Sequence, residues 1–190
     1  DESVIGRAFY IMEFVEGRVL WDQTLPGMTR EQRADIYDEM NRVIAALHTV
    51  DYKARGLASY GKPGNYFERQ IGRWSKQYLA SVTQPIPEMN RLIEWLPAHI
   101  PAAAQGDGLT SIVHGDYRLD NVMFHPTEPR ILAVLDWELS TLGHPLADFS
   151  YHCMAWHIPP GTFRGIGGVD LASLGIPSEQ DYIRRYCERT

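Results

Sequence analysis

Apolar side chains recur at three- and four-residue steps in several stretches of the chain, and gather as short β-branched or aromatic runs in others. Ile36, Met40, Val43, Ile44 and Leu47 mark an amphipathic helix over residues 29–51, with Thr29 as N-cap and Gln32 closing a capping box. A second helix is predicted over 65–82, with Phe67, Ile71, Trp74, Tyr78 and Val82 on one face. Pro85 and Pro87 end that segment. A third helix follows over 88–99, where Met89, Leu92, Ile93 and Leu96 make a buried stripe, and Pro101 stops it. Pro145 suits the first position of another helix reaching about residue 157. Ser178, paired with Asp181, opens a last one running to residue 190. Residues 7–15, rich in aromatic and β-branched types, read as a strand broken by Gly17. Residues 111–113, 121–124 and 131–135 read as one small antiparallel sheet, and 161–168 as a surface loop. Trp74, Trp95, Trp137 and Trp156 read as core residues, with the lining of an acceptor pocket as the alternative.

Composition adds limits. With 190 residues, 44% hydrophobic and 22% charged, the chain has the makings of one or at most two folded domains. Its formal charge is −6 and its basic residues are scattered, so no basic stripe exists for nucleic acid, and none is expected as a partner. Apolar runs such as 131–135 fall far short of the roughly 20 residues that span a bilayer, so no membrane span is expected. Asp1, Glu2 and Ser3 do not resemble the start of a signal peptide. Cys153 and Cys187 form neither a disulfide framework nor a zinc pair, so the expected compartment is a reducing cytoplasm.

The chemistry is concentrated in residues 114–121, HGDYRLDN, and in Asp136, fifteen residues after Asn121 at the end of an apolar run. The pattern H-x-D-x-x-x-x-N, followed by an Asp at a strand end, is that of a kinase catalytic loop. One Asp accepts the proton of the attacking hydroxyl, while the Asn and the second Asp hold Mg²⁺. Mg²⁺ keeps several waters, so one carboxylate and one amide oxygen are enough protein ligation. By spacing, Asp116 is the base and Asn121 with Asp136 the metal ligands. The competing reading is that Asp, Asn and His serve turns by bonding nearby amides.

HGDYRLDN, VLDWE and GHPLADFSYH resemble the aminoglycoside phosphotransferase and choline kinase superfamily. LHTVDYKARGL and NYFERQIGRWSKQY are similar to the branch found alone in bacteria or fused to acyl-CoA dehydrogenases. The resemblance covers nearly the whole chain. It implies an α+β fold, the mainly helical C-terminal lobe of a protein-kinase-like architecture with a small antiparallel catalytic sheet. It also implies ATP and Mg²⁺ as cofactors and a small-molecule hydroxyl as acceptor. On this resemblance Asp116 is the catalytic base, and Arg118 is the cation that meets the transferred phosphoryl, an exposed loop arginine being the plainer alternative. Glu13, Phe14 and Val15 form a hinge reading adenine through the backbone, and Met123 and Leu135 the adenine floor, unless these last are simply core. Asp148 braces the loop around His114, which orients the loop without acting as acid or base. His144 stands where many relatives carry Asp, and its role is open.

Lys53, Lys62 and Lys76 all follow the hinge-like segment, so none is the strand lysine that holds nucleotide phosphates in a complete kinase. The expected organisation is therefore a last N-terminal-lobe strand and hinge over residues 1–17 and a C-terminal lobe over 18–190. Both belong to a longer protein carrying an N-terminal lobe or an acyl-CoA dehydrogenase domain, and the isolated piece is expected to be inactive. The acceptor is expected to be a hydroxyacyl thioester or related metabolite, with aminoglycosides, choline and homoserine as the wider family's alternatives. Two other functions are compatible with the sequence. One is a kinase-like domain that binds a nucleotide or partner without turnover. The other is a metal-dependent hydrolase drawing imidazole and carboxylate ligands from His114, Asp116, His125, Asp136, His144, Asp148, His152 and His157.

Overall fold

A computed structural model describes residues 2–106 and 109–190. Its helices are α1 (Glu2–Ile5), α2 (Arg30–His48), α3 (Tyr66–Ser81), α4 (Pro87–Trp95), α5 (Pro145–Cys153), α6 (Leu171–Leu174) and α7 (Glu179–Arg189). The strands are β1 (Ser111–Val113), β2 (Val122–Phe124), β3 (Ile131–Val134) and β4 (Thr141–Gly143). No helix among the described residues is long and apolar enough to cross a membrane.

α2 is the central post. The Thr29 hydroxyl accepts from the Gln32 amide and the Gln32 side chain accepts from the Thr29 amide, so the predicted capping box starts the helix. Ile36, Tyr37, Met40 and Ile44 then point into the core, where they meet Tyr117, Phe124, Trp156, Tyr182 and other buried residues. α7 lies along α2. Asn41 Nδ2 donates to the Tyr182 carbonyl at 2.8 Å, and Arg185 and Arg189 pair with Asp38 at 2.9 and 2.8 Å. Ser178 caps α7 as its sequence predicts.

Four expectations are corrected. Residues 7–15 form no strand: Phe9, Tyr10, Ile11, Met12 and Phe14 are exposed on an irregular stretch. A strand needs a neighbour to take its backbone groups, and the pairing found here begins only at Arg18, which exchanges backbone hydrogen bonds with Phe124 at 2.8 and 2.9 Å. The single small sheet is instead two antiparallel pairs, β1 with β4 and β2 with β3. The three residues of β4 are too few to show a period in sequence. The stripe on α4 is not buried: neither α3 nor α4 carries a buried residue, and α3 meets chiefly the turn Leu96–Ala98 that follows α4. α4 itself ends at Trp95 and passes into a 3-10 turn, Leu96–Ala98. Of the four tryptophans assigned to the core, only Trp156 is there, whereas Trp74, Trp95 and Trp137 are exposed.

His152, on α5, is buried against Tyr182, whose hydroxyl lies 2.7 Å from Nε2. Burial pushes this imidazole down to about 4, against a weaker upward pull from Asp148 and the Tyr117 backbone. The fold therefore refuses a proton that the unfolded chain takes near pH 6.5. Stability is complete above that pH and falls as the pH drops from about 6.5 toward 4. Denaturant unfolding at pH 7 and pH 5 should show a loss on the order of 2 kcal/mol beyond that of a His152→Gln variant. Equal pH slopes for the two proteins would contradict this.

Candidate active site

The loop between β1 and β2 carries residues 114–121, and its shape is fixed from three sides. Gly115 sits at φ +86°, and a Cβ there would stand 2.9 Å from the Leu139 carbonyl oxygen, so only glycine lets the chain pass. The buried Asp148 carboxylate, near the start of α5, accepts the His114 amide at 2.6 Å and the Gly115 amide at 3.0 Å. Asp148 also accepts from His48 Nε2 at 3.2 Å, which leaves His48 Nδ1 to accept the Tyr186 hydroxyl at 2.7 Å. α2, α5 and α7 thus grip the loop through one carboxylate.

Both His114 ring nitrogens are occupied. Nδ1 accepts the Asp116 amide at 3.2 Å, so Nε2 carries the hydrogen and donates to the Leu135 carbonyl at 2.7 Å. This ties the loop to the residue before Asp136. Asn121 Nδ2 donates to the Asp116 carbonyl and to Asp116 Oδ2, both at 2.8 Å, and Arg118 Nη2 lies 3.2 Å from the same Oδ2. Tyr151, one turn beyond Asp148 on α5, also bonds Asp116; burial and that bond push its hydroxyl up to about 12.

Asp136 takes a left-handed conformation, φ 62° and ψ 59°, with its carboxylate exposed. The Leu135 amide donates to the Asn121 carbonyl at 2.8 Å, so Asn121 and Asp136 reach the same end of the β2–β3 pair. With Asn121 Nδ2 committed to Asp116, its amide oxygen is the atom left for a cation. One carboxylate and one amide oxygen fit Mg²⁺, which takes its remaining ligands from phosphates and water. No cluster of three His, Cys, Asp or Glu side chains suited to a metal occurs among the described residues.

Toward the N-terminus, Gly17 lies so close to Met123 that a Cβ would stand 2.5 Å from its Cγ. Met123 and Leu135 are half-buried on neighbouring segments; Val15 is half-buried, and Glu13 and Phe14 are exposed. The structure brings Asp116, Arg118, Asn121, His114 and Asp148 into one network, sets Asp136 at its rim, and leaves the hinge residues on the irregular stretch. Beside the loop, a cleft of about 250 Å³ is walled by Tyr66, Phe67, Arg73, Trp74, Gly115 and Tyr151, among others. Sequence reading passed over Tyr151 and His48. Tyr151 follows Asp148 by three residues, hence on its helix face, which was a usable signal. His48 lies 100 positions from Asp148 and offered none.

A helical lobe carrying short antiparallel strand pairs and this loop defines a protein-kinase-like phosphotransferase architecture. A family model described as "Phosphotransferase enzyme family" matches residues 1–179, and the chain belongs to that family. It is 48% identical over 189 residues to acyl-CoA dehydrogenase family member 10 of Mus musculus, covering 98% of this chain and 17% of the relative. It is 43% identical over 188 residues to acyl-CoA dehydrogenase family member 11 of Homo sapiens, covering 98% of this chain and 24% of the relative. A crystallised protein of Ralstonia eutropha, described as a candidate aminoglycoside phosphotransferase, is 72% identical with a TM-score of 0.94, covering all of this chain and 57% of its own. An aminoglycoside-3'-phosphotransferase of type VIII shares the fold at 17% identity and a TM-score of 0.59, covering 90% of this chain and 59% of its own. The chain thus spans a sixth to a quarter of these curated relatives. The likeness to acyl-CoA dehydrogenase relatives and to kinase-like structures agrees with the resemblance seen in the sequence.

Proposed function

We propose that the chain is the C-terminal-lobe portion of an ATP- and Mg²⁺-dependent phosphotransferase acting on a small-molecule hydroxyl, in the cytoplasm. The observation that carries this reading is the convergence on Asp116. Asn121 fixes its carboxylate, Arg118 and Tyr151 approach it, and Asp136 stands at the adjacent strand end. In this reading Asp116 orients the acceptor hydroxyl and takes its proton, and Arg118 meets the phosphoryl group. Asn121 and Asp136 would hold Mg²⁺, which neutralises nucleotide phosphate charge when bound. Glu13 and Val15 offer backbone groups to adenine, over Met123 and Leu135. Residues 1–17 close an N-terminal lobe, without which the 190-residue chain is inactive.

The acceptor is of hydroxyacyl type. The cleft beside the loop is walled by aromatic rings and Arg73, and its one carboxylate, Asp148, is already committed to the loop amides, a lining that suits an apolar or anionic substrate better than a polycation. The test is ADP release from Mg·ATP by the full-length protein. Hydroxyacyl thioesters should stimulate it and a kanamycin-type aminoglycoside should not. The opposite pattern would overturn the acceptor assignment.

A further inference from the structure

Residues 158–168 fold back over the catalytic loop. Ile166 is buried, its amide donates to the Ala155 carbonyl, and the Gly167 amide donates to the Ile158 carbonyl, both at 2.8 Å. Gly165 packs so tightly on the Ile158 backbone that no Cβ fits. This anchoring presents two residues of positive φ, Phe163 and Arg164, to the loop. The Phe163 ring lies 5.7 Å from the Arg118 guanidinium, and the Arg164 guanidinium lies 5.0 Å from the Trp21 ring. Arg164 Nη1 pairs with Asp120 Oδ2, the oxygen that also stands 3.4 Å from Arg118 Nη2. Asp120 is buried. Its Oδ1 and Arg118 Nε have no partner among the described residues.

Arg118 is therefore poised between two carboxylates, Asp116 at 3.2 Å and Asp120 at 3.4 Å. A guanidinium prefers a two-pronged pairing with one carboxylate. If Asp120 had no other cation, it would draw Arg118 into such a pair and away from the base. We infer that Arg164 is a positioning residue for phosphoryl transfer: by pairing with Asp120 and holding Phe163 against Arg118, it keeps the Arg118 guanidinium beside Asp116. This rests on the phosphotransferase reading above, and on Arg118 as the cation that meets the phosphoryl. It makes 158–168 part of the site, although that segment contains no residue of the loop motif.

The experiment is a double-mutant cycle in the full-length protein, reading ADP release from Mg·ATP with water as acceptor, and melting temperature alongside. Arg118→Ala should lower kcat about a hundredfold, as loss of a transition-state donor does. Arg164→Ala should lower kcat about tenfold while KM for Mg·ATP stays nearly unchanged, and in the Arg118→Ala background it should cost nothing more. Arg164→Gln, which keeps an amide donor for Asp120 without the charge, is run in the same cycle so that a folding failure of the alanine variant does not decide the matter. Wild-type kcat in the Arg164 variants, or losses that add in full to that of Arg118→Ala, would overturn this inference alone. Absence of ADP release from the wild type, with water and with a hydroxyacyl thioester alike, would overturn the phosphotransferase reading and this inference with it.

Discussion

Asp116→Asn should reduce phosphoryl transfer by the full-length protein about a thousandfold while leaving Mg·ATP binding within a few-fold of wild type. In the proposed mechanism this carboxylate takes a proton: Asn121 Nδ2 holds Oδ2 at 2.8 Å, and Arg118 Nη2 lies 3.2 Å from the same atom. An amide has the same shape but almost no basicity, so the substitution removes the proton acceptor and leaves the loop in place. The fold should tolerate it, because Asp116 is only partly buried and its backbone contacts to His114 and Asn121 persist. Steady-state kinetics and a melting curve check both halves. Transfer within tenfold of wild type would show that proton removal by Asp116 contributes little.

Asp148→Ala should be the most destabilising single change at the site, costing about 3 to 5 kcal/mol by denaturant unfolding. The side chain is inaccessible to solvent and accepts from two backbone amides and from His48. Alanine leaves those donors buried without an acceptor and frees the turn that Gly115 makes. A domain has only about 5 to 15 kcal/mol in hand, so the loss removes a large share of the stability. Asp148→Asn keeps one carbonyl oxygen for the amides and should lose roughly half as much. A loss below about 1 kcal/mol for Asp148→Ala would mean that the loop is held by other contacts.

Local signals were legible in the sequence where they concern the backbone of one element. The capping box at Thr29, the N-cap at Ser178, Pro145 at a helix start, and the H-x-D-x-x-x-x-N loop between two short strands all appear in the structure. Positions that depend on a partner were not legible. Residues 7–15 have strand composition but no neighbouring strand, and the apolar rows on α3 and α4 have helical period but no core to meet. β4 owes its existence to pairing with β1, not to its own three residues. At the site the motif located Asp116 and Asn121, which the structure joins, and Tyr151 had a local signal in its place one turn beyond Asp148, whereas His48 and Arg164 reach the loop through tertiary contacts that no spacing encodes.

The central claim is a Mg²⁺-dependent nucleotide site built on Asp136 and Asn121, and calorimetric titration of ATP with and without Mg²⁺ into the full-length protein tests it most directly. Binding should strengthen at least tenfold with Mg²⁺ in the wild type, and that gain should vanish in Asp136→Ala. ATP binding that is absent, or indifferent to both Mg²⁺ and Asp136, would contradict the account.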